Sequence, residues 1–187
     1  MTWFYFIMVV ALFTPPIDNG RKTVRRILMI AQDEHYQTLN QALQGLIQGE
    51  SDALANLANS AALLFQSLEK INWAGFYLFK ENQLILGPFQ GKPACIRIAL
   101  GKGVCGTAAD KREAIVVEDV HQFPGHIACD GASASEIVIP IIKDDTLLGV
   151  LDIDSPVKAR FNEEDRRGLQ GFIEILSANI HWEGLLR

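Results

Sequence analysis

A chain of 187 residues, 49% of them apolar and 21% charged, is long enough for one domain with a real core and too short for two of ordinary size. Its net charge of -5, from 17 basic and 22 acidic residues that are interspersed, argues against a nucleic-acid surface, which would cluster Lys and Arg. Three cysteines, Cys95, Cys105 and Cys129, are too few and odd in number for a secreted disulfide scaffold, and no C-x-x-C pair suggests structural zinc.

Trp3 to Phe13 is continuously apolar, but it is well short of the roughly 20 residues a spanning helix needs. No charge precedes it and no small-x-small site follows it, so neither a secretory signal nor a membrane span is expected. The basic cluster Arg21, Lys22, Arg25 and Arg26 comes next. Residues 1–28 read as an N-terminal extension outside the fold, with Met29 as the simpler start and 29–187 as a single domain.

From Met29 the pattern is two helices, a run of strands and a last helix. Ser51 to Leu68 opens on an N-cap residue and spaces Leu54, Leu57, Leu64 and Leu68 as an amphipathic helix would. Asn72 to Lys80 and Leu84 to Phe89 flank the turn signal Glu81-Asn82 and predict a hairpin. Ile96 to Leu100 and Ala114 to Glu118 predict two more strands, separated by the Gly-punctuated stretch Gly101 to Gly106, which is too generic for a phosphate loop and reads as a turn. A long polar loop then carries Cys129 between Gly125 and Gly131. Glu136 to Ile142 and Leu147 to Asp154 form a second hairpin around a charged turn, and Asn162 caps a helix with the stripe Leu169, Phe172, Ile173, Leu176 and Ile180. Successive strands without intervening helices imply an α+β fold, with a mainly antiparallel central sheet and helices packed on one side.

Within the second hairpin, Asp152 and Asp154 are two apart and share a face, with Leu148 and Val150 rather than Leu151 and Ile153. Carboxylates on so apolar a strand suggest a site; the plain alternative for Asp154 is a strand end facing water. Register decides whether Glu136 joins them. A three-residue loop sets Glu136 opposite Asp154, whereas an even, unbulged loop turns it away. Trp73 and Tyr77, four apart on the first strand, also share a face, as core or as a pocket wall. His121, His126 and Cys129 fit no standard zinc spacing, so no metal and no cofactor is expected.

The stretch "SEIVIPIIKDDTLLGVLDIDSP" with the following "RFNEED" resembles the C-terminal half of a GAF domain. Joined with "NWAGFYL", "LGPFQGKPAC", "GKGVCGTA" and "VEDVHQFPGHIACD", it resembles the free methionine-(R)-sulfoxide reductase family over about 150 residues, from near Gln32 to Trp182, all three cysteines in matching contexts. The extension before Met29 departs from that pattern. The resemblance implies a GAF-like fold and a cytoplasmic oxidoreductase that reduces free methionine-(R)-sulfoxide. It makes Cys129 the nucleophile and Cys95 the resolving thiol, with a disulfide between them that thioredoxin reduces. Cys105 is then a second partner or a packing residue, and His126 a helper to the thiolate or a plain loop residue. Trp73, Tyr77, Glu136, Asp152 and Asp154 become substrate-binding candidates, since the substrate carries an ammonium, a carboxylate and a polarised sulfoxide. No nucleic acid or membrane partner is implied, and a homodimer is allowed. The rivals are a non-catalytic GAF sensor of small molecules and a cysteine hydrolase, for which no motif speaks.

Overall fold

In a computed structural model, residues 21–125 and 131–185 are described. Cys129, His126 and the apolar run before Asp18 lie outside them. Ten elements follow in chain order: α1 (Arg21–Ile47), α2 (Ala53–Ser67), β1 (Trp73–Lys80), β2 (Gln83–Gly91), β3 (Arg97–Ala99), α3 (Gly103–Lys111), β4 (Ile115–Val117), β5 (Ser135–Lys143), β6 (Thr146–Ser155) and α4 (Glu163–Asn179). The strands make one antiparallel sheet in the order β3-β2-β1-β6-β5-β4. Its predicted hairpins are both present. Each closes on two residues with positive φ, Glu81-Asn82 and Asp144-Asp145, the backbone that matches the right-handed twist of the flanking strands.

The sheet has two unlike faces because side chains alternate along each strand. One face presents Ala74, Phe76, Leu78, Ile137, Ile139, Ile141, Leu151 and Ile153 to the long helices α1, α2 and α4 and forms the main core. The predicted stripe of α4 is buried there throughout. Asn162 caps α4 in a capping box with Asp165, whose side chain also accepts from Tyr36 of α1 at 2.7 Å. Gly168 lies under the Tyr36 ring, where a Cβ would come within 2.1 Å. Tyr36→Phe should therefore destabilise by about 1–2 kcal/mol, seen as a lower thermal midpoint with the pocket unchanged.

The α2 stripe differs from its prediction in two places. Asp52 rather than Ser51 caps the helix, accepting from Ala55 N–H at 2.8 Å, and Leu54 is exposed because Ala53 and Ala61 turn inward instead. The helix α3 was not expected from its glycines. It packs Val104, Cys105, Ala108 and Ala109 on the second face of the sheet, and its Gly106 is required because Ala99 O stands 2.3 Å from where a Cβ would be. Among the side chains of α1 that are described, Tyr36 is the first buried one.

Candidate functional site

The second face of the sheet builds a row of functional side chains across four strands. Trp73 on β1 pairs with Asp154 on β6, Asp154 with Glu136 on β5, and Glu136 with Val117 on β4. One step along, Gly75 pairs with Asp152 and Asp152 with Val138; one further, Tyr77 pairs with Val150. The three acids therefore converge, although the connection between β5 and β6 is not the three-residue loop that such convergence called for. It is a two-residue turn with a bulge: Ile142 faces Leu147 while Ile141 faces Gly149. Leu148 is the extra residue, and it restores the register a longer loop would have given. The same bulge carries Leu148 to the helix-covered core, away from Val150 and Asp152.

These residues line one cavity together with Cys105, and Lys92, Pro93, Ala94, Ile98, Lys102, Gly103, Val104 and Ser133 complete its wall. The space inside it open to the centre of a water molecule is about 40 Å³. Trp73 stacks on Phe89 at 5.2 Å and on Tyr77 at 5.9 Å, and its Nε1–H donates to Lys92 O at 3.1 Å, tying the β2–β3 loop to the aromatic wall. Both core and wall readings of Trp73 and Tyr77 hold, since they are almost wholly buried and still line the cavity. Gly75 makes this stack fit: a Cβ there would meet Phe89 Cβ at 2.3 Å and Trp73 at 2.7 Å. Gly75→Ala should push the indole into the cavity and raise KM more than tenfold, at a stability cost of about 1–3 kcal/mol.

Glu136 and Asp152 are buried. Burial, then the negative charges of Asp152 and Asp154, hold the Glu136 carboxyl well above the usual range; burial also raises Asp152. Like charges confined together favour a proton on one of them. Asp154 is half-buried at the cavity edge, so it is neither fully enclosed nor simply facing water. Cys105, in the first turn of α3, donates from Sγ to Glu136 Oε1 at 3.8 Å. Burial first, then the neighbouring carboxylates, push its thiol pKa up, which keeps it protonated and a poor nucleophile.

Cys95 follows the lining residue Ala94, is partly buried against the same cluster and is held in a disulfide; Cys105 is a free thiol. The loop between β4 and β5, which carries Cys129, has its stem closed by Val120 N–H donating to Ala134 O at 3.0 Å and Ala134 N–H donating to Ser155 O at 2.7 Å. Asp119 at the entry accepts from Lys158 Nζ at 2.7 Å and Gln122 Nε2 at 2.8 Å. These bonds hold its carboxyl down at about 2. His121, beside it, is exposed. Lys92, Lys102 and Ser133 escaped the sequence reading because they reach the cavity from loops or a helix cap, with no periodicity to mark them; the only signal was their nearness to Cys95, Cys105 and Cys129 in the chain.

A single antiparallel sheet with three long helices on one face and an acid-lined cavity on the other defines the GAF class, and residues 54–181 match the GAF domain family. The free methionine-R-sulfoxide reductase of Escherichia coli is 54% identical over 140 residues, 75% of this chain and 85% of that one. That of Saccharomyces cerevisiae is 44% identical over 154 residues, 78% and 86% of the two chains. The free methionine-R-sulfoxide reductase of Neisseria meningitidis, solved in complex with its substrate, superposes with a TM-score of 0.75 at 42% identity, covering 77% of this chain and 87% of that one. The chain belongs to the free methionine-R-sulfoxide reductase family.

Proposed function

We propose that this protein reduces the (R)-sulfoxide of free L-methionine to L-methionine, with Cys129 as nucleophile. The observation that carries the reading is the convergence of Glu136, Asp152 and Asp154 with the Trp73 wall in one cavity that Cys105 also lines and Cys95 borders. A zwitterionic amino acid needs both signs of charge around it, and Lys92 and Lys102 share the cavity with the three acids. The indole face suits the electron-poor S-methyl group.

In this mechanism a protonated carboxyl, Glu136 being the best placed by its burial and its acidic neighbours, donates to the sulfoxide oxygen as the Cys129 thiolate attacks sulfur. Oxygen passes to Cys129 as a sulfenic acid and methionine leaves. The Cys95 thiol then attacks the sulfenic sulfur, water departs, and a Cys95–Cys129 disulfide forms. The disulfide at Cys95 beside a free Cys105 supports that pairing. Thioredoxin returns both thiols with two electrons. Asp152 and Asp154 hold the ammonium, and an N-acylated substrate loses that charge. Such thiol chemistry fits a reducing cytoplasm; among the described residues no helix is long and apolar enough to cross a membrane.

The test is consumption of separated R and S sulfoxides of methionine with thioredoxin or dithiothreitol. Turnover of the free R form alone is expected. No consumption of the R form would overturn the reading and favour a sensor role.

A further inference from the structure

An organic substrate accounts for the acids and the aromatic wall, but not for a buried thiol set between two of those acids. One ligand atom each from Cys105, Glu136 and Asp152 lies within 4.8 Å of the others, and all three residues are buried. Cys105 Sγ and Glu136 Oε1 are 3.8 Å apart. A tetrahedral cation about 2.3 Å from sulfur and about 2.1 Å from oxygen sets that edge at roughly 3.6 Å, so the pair needs almost no adjustment. A second feature points the same way: Asp152 lines the cavity, and its buried Oδ1 makes no hydrogen bond of ordinary geometry among the described residues, while the Asp152 residue as a whole is 7% exposed. Buried carboxylate oxygens are ordinarily satisfied. The donors come from three packed elements, α3, β5 and β6, which fixes their spacing.

We infer that Cys105, Glu136 and Asp152 form a binding site for a single soft divalent cation, with Zn²⁺ as the best fit and the fourth position open to the cavity. A thiolate donor selects zinc over magnesium or calcium. Binding releases the thiol proton to solvent and puts a dication on two of the acids assigned to the substrate, so zinc acts as a reversible inhibitor. The inhibition clause rests on the reductase reading; the binding itself rests only on the geometry of the cavity.

Cobalt(II) is the probe, because a cobalt–thiolate bond gives a charge-transfer band in the near ultraviolet. The test uses the full chain with Cys95→Ser and Cys129→Ser, which leaves Cys105 as its one thiol. Titration should raise the band to one equivalent of Co²⁺, and Zn²⁺ should bleach it. Adding Cys105→Ser should remove the band, and adding Asp152→Asn should weaken binding by at least about tenfold, the scale that even an outer-shell partner commands. Cooperative thermal unfolding confirms that each variant is folded. Absence of the band in the folded double variant, its survival without Cys105, or indifference to Asp152→Asn would each overturn the site. In the wild-type enzyme Zn²⁺ should raise the apparent KM, and a chelator should restore it. A failed reductase assay would leave the cobalt band standing, so the two readings fail separately.

Discussion

Glu136→Gln is expected to lower kcat by about 10²–10⁴-fold, the range that loss of a general acid commands, while raising thermal stability at neutral and alkaline pH. Both effects have one cause. Burial, then the charges of Asp152 and Asp154 beside it, hold the Glu136 carboxyl above the ordinary 4.5 of a free glutamate. Below that ordinary value the folded and unfolded chains both carry the proton, and folding costs nothing extra. As pH rises, the unfolded chain releases the proton first while the folded chain keeps it, so stability falls through this window and is lowest above the folded pKa. Asp152, raised by burial, adds to the same trend. Glutamine keeps the shape without the charge. The variant's melting temperature should exceed that of the wild type at about pH 8 and converge with it near pH 4–5, each kcal/mol recovered appearing as about 2–4 °C. Equal melting temperatures across that range, or unchanged kcat, would place Glu136 outside the acid cluster. Stabilisation on removal of the proposed general acid would be the usual trade between activity and stability.

How much of this could be read in advance depends on whether the signal was local. Both hairpins and α4 were legible, because their turns and capping box are written in adjacent residues: Glu81-Asn82, Asp144-Asp145 and Asn162 with Asp165. The shared faces of Trp73 with Tyr77 and of Asp152 with Asp154 also follow from the two-residue period alone. The helix α3 was hidden by Gly103 and Gly106: Gly103 takes a positive φ of 60°, and Gly106 is needed for the close approach of Ala99 O, neither of which propensity shows. The bulge at Leu148 had a single local hint, Gly149, whose absent Cβ lets Tyr77 O approach to 2.2 Å of that position. That contact is between strands and cannot be seen along one of them. The cavity wall from Lys92, Lys102 and Ser133 is likewise assembled by tertiary packing.

The cysteines separate by their chemistry rather than their number. Cys129→Ser should reduce turnover by at least about 10³-fold: Cys105 is kept protonated by burial and its acidic neighbours, a thiolate is the attacking species, and in the proposed cycle Cys95 acts only once the sulfenic acid has formed. Cys95→Ser should behave differently. It should release one equivalent of methionine in a rapid first turnover and then stall, with a sulfenic acid on Cys129 that a dimedone probe traps. Small thiols should restart it, since dithiothreitol can supply the resolving sulfur. Thioredoxin should do so poorly, because the disulfide it reduces has not formed. Cys105→Ser should keep both the burst and the thioredoxin-dependent steady state, with kcat lowered through the lost hydrogen bond to Glu136. Peptide mapping after one wild-type turnover gives the order of events. A Cys95–Cys129 disulfide is expected, and a Cys105–Cys129 product as the main species would transfer the resolving role to the buried thiol, requiring α3 to move before each cycle could close.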